Sequence, residues 1–174
     1  LDPSALRVRL TKEPSPDCWF KVMPQFKVRF EGEKVRVGDK VLLLHERSGQ
    51  FVHLSENAWE HEQTFEVDVS ANSTGWTVTH FAQFTAHGDK YLKGSDVVRL
   101  FHQEREAFLK SDLEPLHGNP RYDVFMKAVT RKGRARTRSS NTLYQIELKN
   151  LVQGGIVTWK TEVRFKHMGS GKYL

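Results

Sequence analysis

The sequence predicts an all-β protein built from β-trefoil repeats, and three observations lead there. First, three segments repeat: "VRVGDKVLLLHERSGQFVHLS" from Val35, "KYLKGSDVVRLFHQEREAFLKS" from Lys90 and "TEVRFKHMGSGKYL" from Thr161. Each is a strand-like run ending in a histidine (His45, His102, His167), with an aromatic residue six positions on (Phe51, Phe108, Tyr173). Second, the histidines stand 57 and 65 residues apart, too far for one hairpin and suited to a unit of about four short strands. Third, "DKVLLLHE" and "DVVRLFHQ" alternate apolar and polar residues with a period of two, while no helical apolar stripe is sustained over about ten residues. One such unit cannot bury its own apolar face, so neighbouring units around a pseudo-threefold axis must complete the core.

In chain order, Leu6 to Pro24 reads as the closing strands of a unit, with "DCWFKVMP" placing Trp19 on a strand. The first histidine run follows, turned at Ser48-Gly49, and then "STGWTVTHF" with Trp76 on the equivalent strand. "AQFTAHGDKYLKG", small and polar, is the most plausible junction. The second run then leads through "QEREAF", long enough for a turn or two of helix, to "NTLYQIEL" with Tyr144 on the third equivalent strand. The third run turns at Gly169-Ser170-Gly171. Two and a half units do not close one trefoil. The expected arrangement is therefore the end of one trefoil and the beginning of a second, with residues 1–85 and 94–174 as the two portions and 86–93 as linker. A single trefoil that uses all the units, with long insertions, is its competitor.

The 174 residues carry a formal charge of +6, which favours anionic partners without choosing among phosphate, nucleic acid and an acidic protein surface. The bias concentrates after Asp123. Val124 to Ser140 holds six basic side chains and no acidic one, yet no aromatic platform interleaves with the arginines, which argues against nucleic acid. Lone Cys18 allows no internal disulfide, and no apolar run is long enough for a membrane helix. Asn72-Ser73-Thr74 fits the N-glycosylation pattern, a motif common by chance. No nucleophile–histidine–carboxylate motif and no glycine-rich phosphate loop appears, so neither an enzyme nor a cofactor is expected. The repeated histidines belong to three different lobes, which argues against a metal site. Trp19, Trp76 and Trp159 read as core residues, and Trp59, in the polar stretch "SENAWEHEQ", as a candidate contact between domains.

"LKGSDVVRLFHQEREAFLKSD", "LYQIELKN" and "VTWKTEVRFKHMGSGKYL" resemble the MIR repeats of the inositol 1,4,5-trisphosphate receptor family, and Val37 to Leu42 is similar to the end of that family's suppressor domain. The resemblance covers essentially the whole chain. It implies a ligand-sensing, gating-regulatory piece of an intracellular calcium-release channel on the cytoplasmic face of the endoplasmic reticulum membrane. Residues 1–85 would be the suppressor-like trefoil portion and 94–174 the opening of the ligand-binding trefoil. The implied partners are inositol 1,4,5-trisphosphate, an armadillo-like helical domain of the same parent chain, and neighbouring subunits of a homotetramer.

The resemblance also implies a set of ligand-binding residues. In the family the trefoil half of the pocket uses an arginine in the "VVRLFH" strand, a lysine eight residues later, and an arginine-threonine-threonine-glycine-arginine loop. The matching positions are Arg99, Ala107, and Lys127 through Arg131. Arg99 and Arg131 keep the planar fork that meets two phosphate oxygens, and Lys127 keeps charge without the fork. The rest departs: Thr130 replaces a glycine that permits close backbone approach, and Ala107, Ala128 and Val129 lack the family's charge and hydroxyls, while the loop's backbone N–H groups survive these changes. Each lost charged hydrogen bond costs about 1.5–3 kcal/mol. Arg134, Arg136 and Arg138, spaced by two, would share one side of an extended segment and offer compensation; a solvated surface loop is the plainer reading of that run. Two alternatives stay open: a ryanodine-receptor-like assembly piece without the ligand, and a luminal glycan-binding MIR module.

Overall fold

The computed structural model describes residues 4–26, 28–59, 64–81, 90–111, 129–130, 140–150 and 155–174. They form eleven strands: β1 (Leu6–Arg7), β2 (Phe20–Pro24), β3 (Lys40–His45), β4 (Phe51–Trp59), β5 (Thr64–Ser70), β6 (Trp76–His80), β7 (Val97–His102), β8 (Ala107–Phe108), β9 (Val129–Thr130), β10 (Tyr144–Leu148) and β11 (Glu162–His167). Six of them close a barrel in the order β2-β3-β6-β7-β10-β11 and back to β2, every pair antiparallel. Closure leaves none of the six with an unpaired edge. The hairpin β4–β5 and the short pair β8–β9 stand beside it, joined through β3 and β7, and β1 adds to β5.

The barrel forms because its strands alternate. Val41 and Leu43 on β3, Val98 and Leu100 on β7, and Val163 and Phe165 on β11 face inward and are all buried. Between them Phe20 and Val22, Trp76 and Val78, and Tyr144 and Ile146 fill the same core from β2, β6 and β10. Each fully buried side chain of this size contributes about 1.5–3 kcal/mol. Each histidine ring lies against the first aromatic of a neighbouring strand: His45 on Phe20, His102 on Trp76 and His167 on Tyr144, with centroids 5.6, 6.0 and 5.3 Å apart.

The threefold relation is sharpest at the barrel's axis. Val35 N–H donates to the Val157 carbonyl (2.9 Å), Val157 N–H to Leu92 (2.8 Å), and Leu92 N–H back to Val35 (2.9 Å). All three side chains are buried. A tight turn follows each ring residue, and the same device holds each one. Asp39 Oδ2 accepts from Arg36 N–H, Asp96 Oδ2 from Lys93 N–H, and Thr161 Oγ1 from Thr158 N–H, at 2.9, 2.8 and 3.1 Å. The residue before each cap, Gly38, Ser95 or Lys160, has positive φ (92°, 74° and 68°), a conformation free only to glycine.

The all-β trefoil class read from the sequence is the one observed. Two lobes are continuous, β3 to β6 and β7 to β10. The third combines β11 and the residues after it with the first strands of the chain: Tyr173 bridges both Thr11 and Lys166, and β11 pairs with β2. β6 and β7, on either side of residues 86–93, pair over four positions. These pairings bring strands from both sides of residues 86–93 into the one six-stranded barrel.

Several local readings change. Trp19 lies one residue before β2, so a period of two turns it away from the core; Phe20 takes the place equivalent to Trp76 and Tyr144. Trp76 and Trp159 are buried as expected. "QEREAF" holds a turn at Gln103–Glu106 and then β8 rather than helix. Asn72 is exposed, whereas Thr74 is buried and its Oγ1 accepts from Leu54 N–H at 2.8 Å. The Trp59 side chain and Arg131 to Arg138 lie outside the described residues. Among the described residues no helix is long and apolar enough to cross a membrane.

Candidate functional site

Of the four residues expected to hold the ligand, Arg99 is described in full. It sits mid-way along β7, between inward-facing Val98 and Leu100, so its side chain leaves the barrel on the outer face. There the guanidinium lies over the Phe81 ring at 5.0 Å and the Phe108 ring at 5.9 Å. The turn Ser140–Thr142 brings Thr142 beneath it, and Arg99 Nε donates to Thr142 Oγ1 at 3.2 Å. Partial burial pushes the Arg99 pKa down from its usual value, yet arginine stays cationic at any physiological pH.

Phe108 connects this side chain to the loop the sequence singled out. Phe108 on β8 pairs with Val129 on β9, and Ala107 with Thr130. The backbone of Val129 and Thr130 therefore joins the same sheet as Arg99, two strands away. Lys127, Ala128 and Arg131 lie outside the described residues, as does the Thr130 side chain. Ala107 is fully buried, so the position matched to the family's lysine faces the interior here.

The same outer position recurs in the third lobe as Arg164. Its guanidinium lies over Trp19 at 5.0 Å and Tyr173 at 4.8 Å, the latter being the counterpart of Phe108. Its cross-strand neighbour is Glu147, whose Oε2 accepts from Arg164 Nε at 2.7 Å. Arg99 faces Thr79 across the sheet instead, and among the described residues no carboxylate pairs with it. Sequence reading passed over Phe81 and Thr142; both follow from cross-strand register, which no spacing along the chain reveals.

His45, His102 and His167 stay apart on their three lobes, and among the described residues no group of three or more His, Cys, Asp or Glu side chains is placed to hold a metal ion. Cys18 is buried and packs against the hydroxyls of Thr11 and Ser15 at 3.6 and 3.7 Å.

Residues 1–87 match the family model described as inositol 1,4,5-trisphosphate/ryanodine receptor, and residues 90–174 match the MIR domain. The chain is 30% identical to "Inositol 1,4,5-trisphosphate receptor itr-1" of Caenorhabditis elegans, over 98% of its own length and 6% of that protein's. It is 31% identical to "Inositol 1,4,5-trisphosphate receptor-like protein A" of Dictyostelium discoideum, over 82% of its length and 4% of that protein's. It thus spans a small part of these relatives. Among solved structures it resembles the SDF2-like protein from Arabidopsis thaliana, with TM-score 0.64, 16% identity, and coverage of 82% of this chain and 77% of that one. It also resembles the S. cerevisiae protein O-mannosyltransferase Pmt1-Pmt2 complex, with TM-score 0.66, 17% identity, and coverage of 86% and 22%. At those identities the likeness is one of fold.

Proposed function

The chain belongs to the inositol 1,4,5-trisphosphate/ryanodine receptor family, and on that premise we propose that it is a ligand-sensing, gating-regulatory piece of an intracellular calcium-release channel that supplies part of an inositol 1,4,5-trisphosphate pocket. The domain family is non-catalytic, so the work is binding and transmission. One observation supports the pocket most directly. Arg99 and Arg164 occupy equivalent positions, and the one matched to the family's ligand arginine is the one without a carboxylate partner among the described residues. An uncompensated, half-buried guanidinium retains donors for a phosphate oxygen, whereas Arg164 spends its charge on Glu147.

Lys127, Thr130 and Arg131 complete this half of the site in the proposal, and the armadillo-like helical domain of the parent chain supplies the other half. The sequence division accompanies it: a suppressor-like portion to residue 85 and a ligand-core-like portion from 94, close to where the two family matches meet. The parent would be a homotetramer in the endoplasmic reticulum membrane with this piece on the cytoplasmic side.

The test is calorimetric titration of the protein extended through the following helical domain, with Arg99→Gln, Arg131→Gln and Arg164→Gln beside wild type. Micromolar or tighter binding (about −8 kcal/mol or better) that the first two lose and the third keeps is the expected result. Absence of heat from folded wild-type protein rejects the pocket.

A second reading has its own observation. Phe26, Val28 and Phe30 are 61%, 78% and 72% exposed on one short segment, an apolar surface of the kind that contacts other proteins. On that reading the chain is an interaction module of a channel assembly and needs no inositol phosphate.

A further inference from the structure

A polar cavity of about 240 Å3 lies between the first and second lobes, bounded by the start of β3, the base of the β4–β5 hairpin and the turn after β7. Lys40, His53, His102, Glu104 and Arg105 line it, with Gln25 at its wall. We propose that this cavity is a binding site for a small phosphate-bearing solute, separate from the Arg99 site.

The argument begins with departure from threefold symmetry. In the first and third lobes the histidine Nδ1 is paired with a serine hydroxyl three residues on, His45 with Ser48 and His167 with Ser170, both at 2.8 Å. In the second lobe that place is Arg105. Its backbone N–H takes over the bond to His102 Nδ1 at 3.2 Å, which frees its side chain for the cavity rim over the Phe65 ring. Because Nδ1 accepts a hydrogen bond from that N–H, neutral His102 carries its own proton on Nε2. The same nitrogen of His45 reaches the Asp17 carbonyl at 3.0 Å and that of His167 is buried, while among the described residues His102 Nε2 is neither buried nor bonded to such an acceptor. His102, a residue of the cavity lining, thus keeps a ring donor for which the described residues supply no acceptor.

The charges nearby agree. Neither Lys40 nor Arg105 has a carboxylate partner among the described residues; burial lowers the His102 pKa, and both cations add to that while Glu104 opposes it. The carboxylate of Asp68 is engaged by His53 at 3.2 Å. Another cavity makes the contrast: about 320 Å3, with Lys149 and Lys160 in its wall, each bound to glutamate at 3.0 Å or less. Two cations, an Nε2–H and the Gln25 carboxamide offer the donor set that phosphate oxygens need, and the cavity's small volume favours a free solute over a headgroup held in a bilayer.

The full chain is titrated with inorganic phosphate while the His102 imidazole is followed by NMR. Saturable perturbation of His102, weakened about tenfold or more by Lys40→Gln and by Arg105→Gln and tightened roughly threefold by Glu104→Gln, supports the site. Lys160→Gln, at the paired cavity, is expected to leave the titration unchanged, and Arg131→Gln likewise, which separates this site from the trisphosphate pocket. Vesicles of phosphatidylcholine with phosphatidic acid distinguish the source: binding lost in the same variants assigns the phosphate to a headgroup, and its absence assigns it to a solute. No His102 response, or equal affinity in folded Lys40→Gln and Arg105→Gln, overturns the proposal.

Discussion

Arg99 and Arg164 stand at the same position of two lobes, each stacked on the aromatic six residues past its histidine, yet Arg164 donates to a carboxylate and Arg99 to a hydroxyl. The pair separates structural from functional charge. Arg164→Gln leaves Glu147 partly buried without its cation and is expected to cost about 1–3 kcal/mol in urea unfolding. Arg99→Gln breaks a bond to an uncharged hydroxyl and leaves no carboxylate unpaired, so it is expected to cost less, its effect falling on ligand affinity instead. Equal losses of stability would undo the distinction.

The three equivalent turns offer a backbone test. Ser95 holds φ 74° where the first lobe has Gly38 at φ 92°. Ser95→Gly is expected to stabilise the protein by about 0.5–1 kcal/mol, and Gly38→Ala to destabilise it by about 1–2 kcal/mol. A Cβ at Gly38 meets nothing within 4 Å, so the second change reads strain alone. Thermal melts of both variants decide it.

His102 makes stability depend on pH. Burial, the largest influence, holds its folded-state pKa below the ordinary 6.5. The unfolded chain therefore takes up a proton first as pH falls, and stability drops from about pH 6.5 down to the folded pKa, below which this histidine adds nothing further. His102→Gln is expected to flatten that part of the curve relative to wild type, measured as urea midpoints across pH 5 to 7.

The axial ring is expected to be the slowest-exchanging part of the molecule. Amides of Val35, Leu92 and Val157 should exchange only through global opening, while Thr11 and Tyr173 exchange sooner. Leu92→Ala should cost about 2–5 kcal/mol, because its side chain is 2% exposed between the lobes. Fast exchange at Leu92 with intact barrel amides would show that the ring is not the keystone.

Much of this was legible in the residues. The histidine spacings of 57 and 65 are also the spacings of Val35, Leu92 and Val157, so the repeat in the chain is the symmetry of the barrel. Alternation in β3 and β7 gave the inward-facing pairs. What escaped depends on relations across strands. In the chain Trp19 reads as the core residue where Phe20 is, and one position in a period-two pattern is the opposite face. The Thr79 opposite Arg99 and the Glu147 opposite Arg164 are matters of pairing, as is the His102–Arg105 backbone bond that opens the polar cavity. Lys127 and Arg131 remain readings from family resemblance alone.

The hydrogen-bond ring at the axis is cyclic: each lobe gives one proton and receives one, and none is first or last. Such a ring is indifferent to where the polypeptide is cut. A circular permutant opened at the Ser48-Gly49 turn, with its present ends joined, presents the same three donors and acceptors in the same order. At the axis a lobe is defined by what it gives and takes rather than by its place in the chain, and what tells the lobes apart lies further out, in side chains that break the symmetry, Arg99 and Arg105 among them.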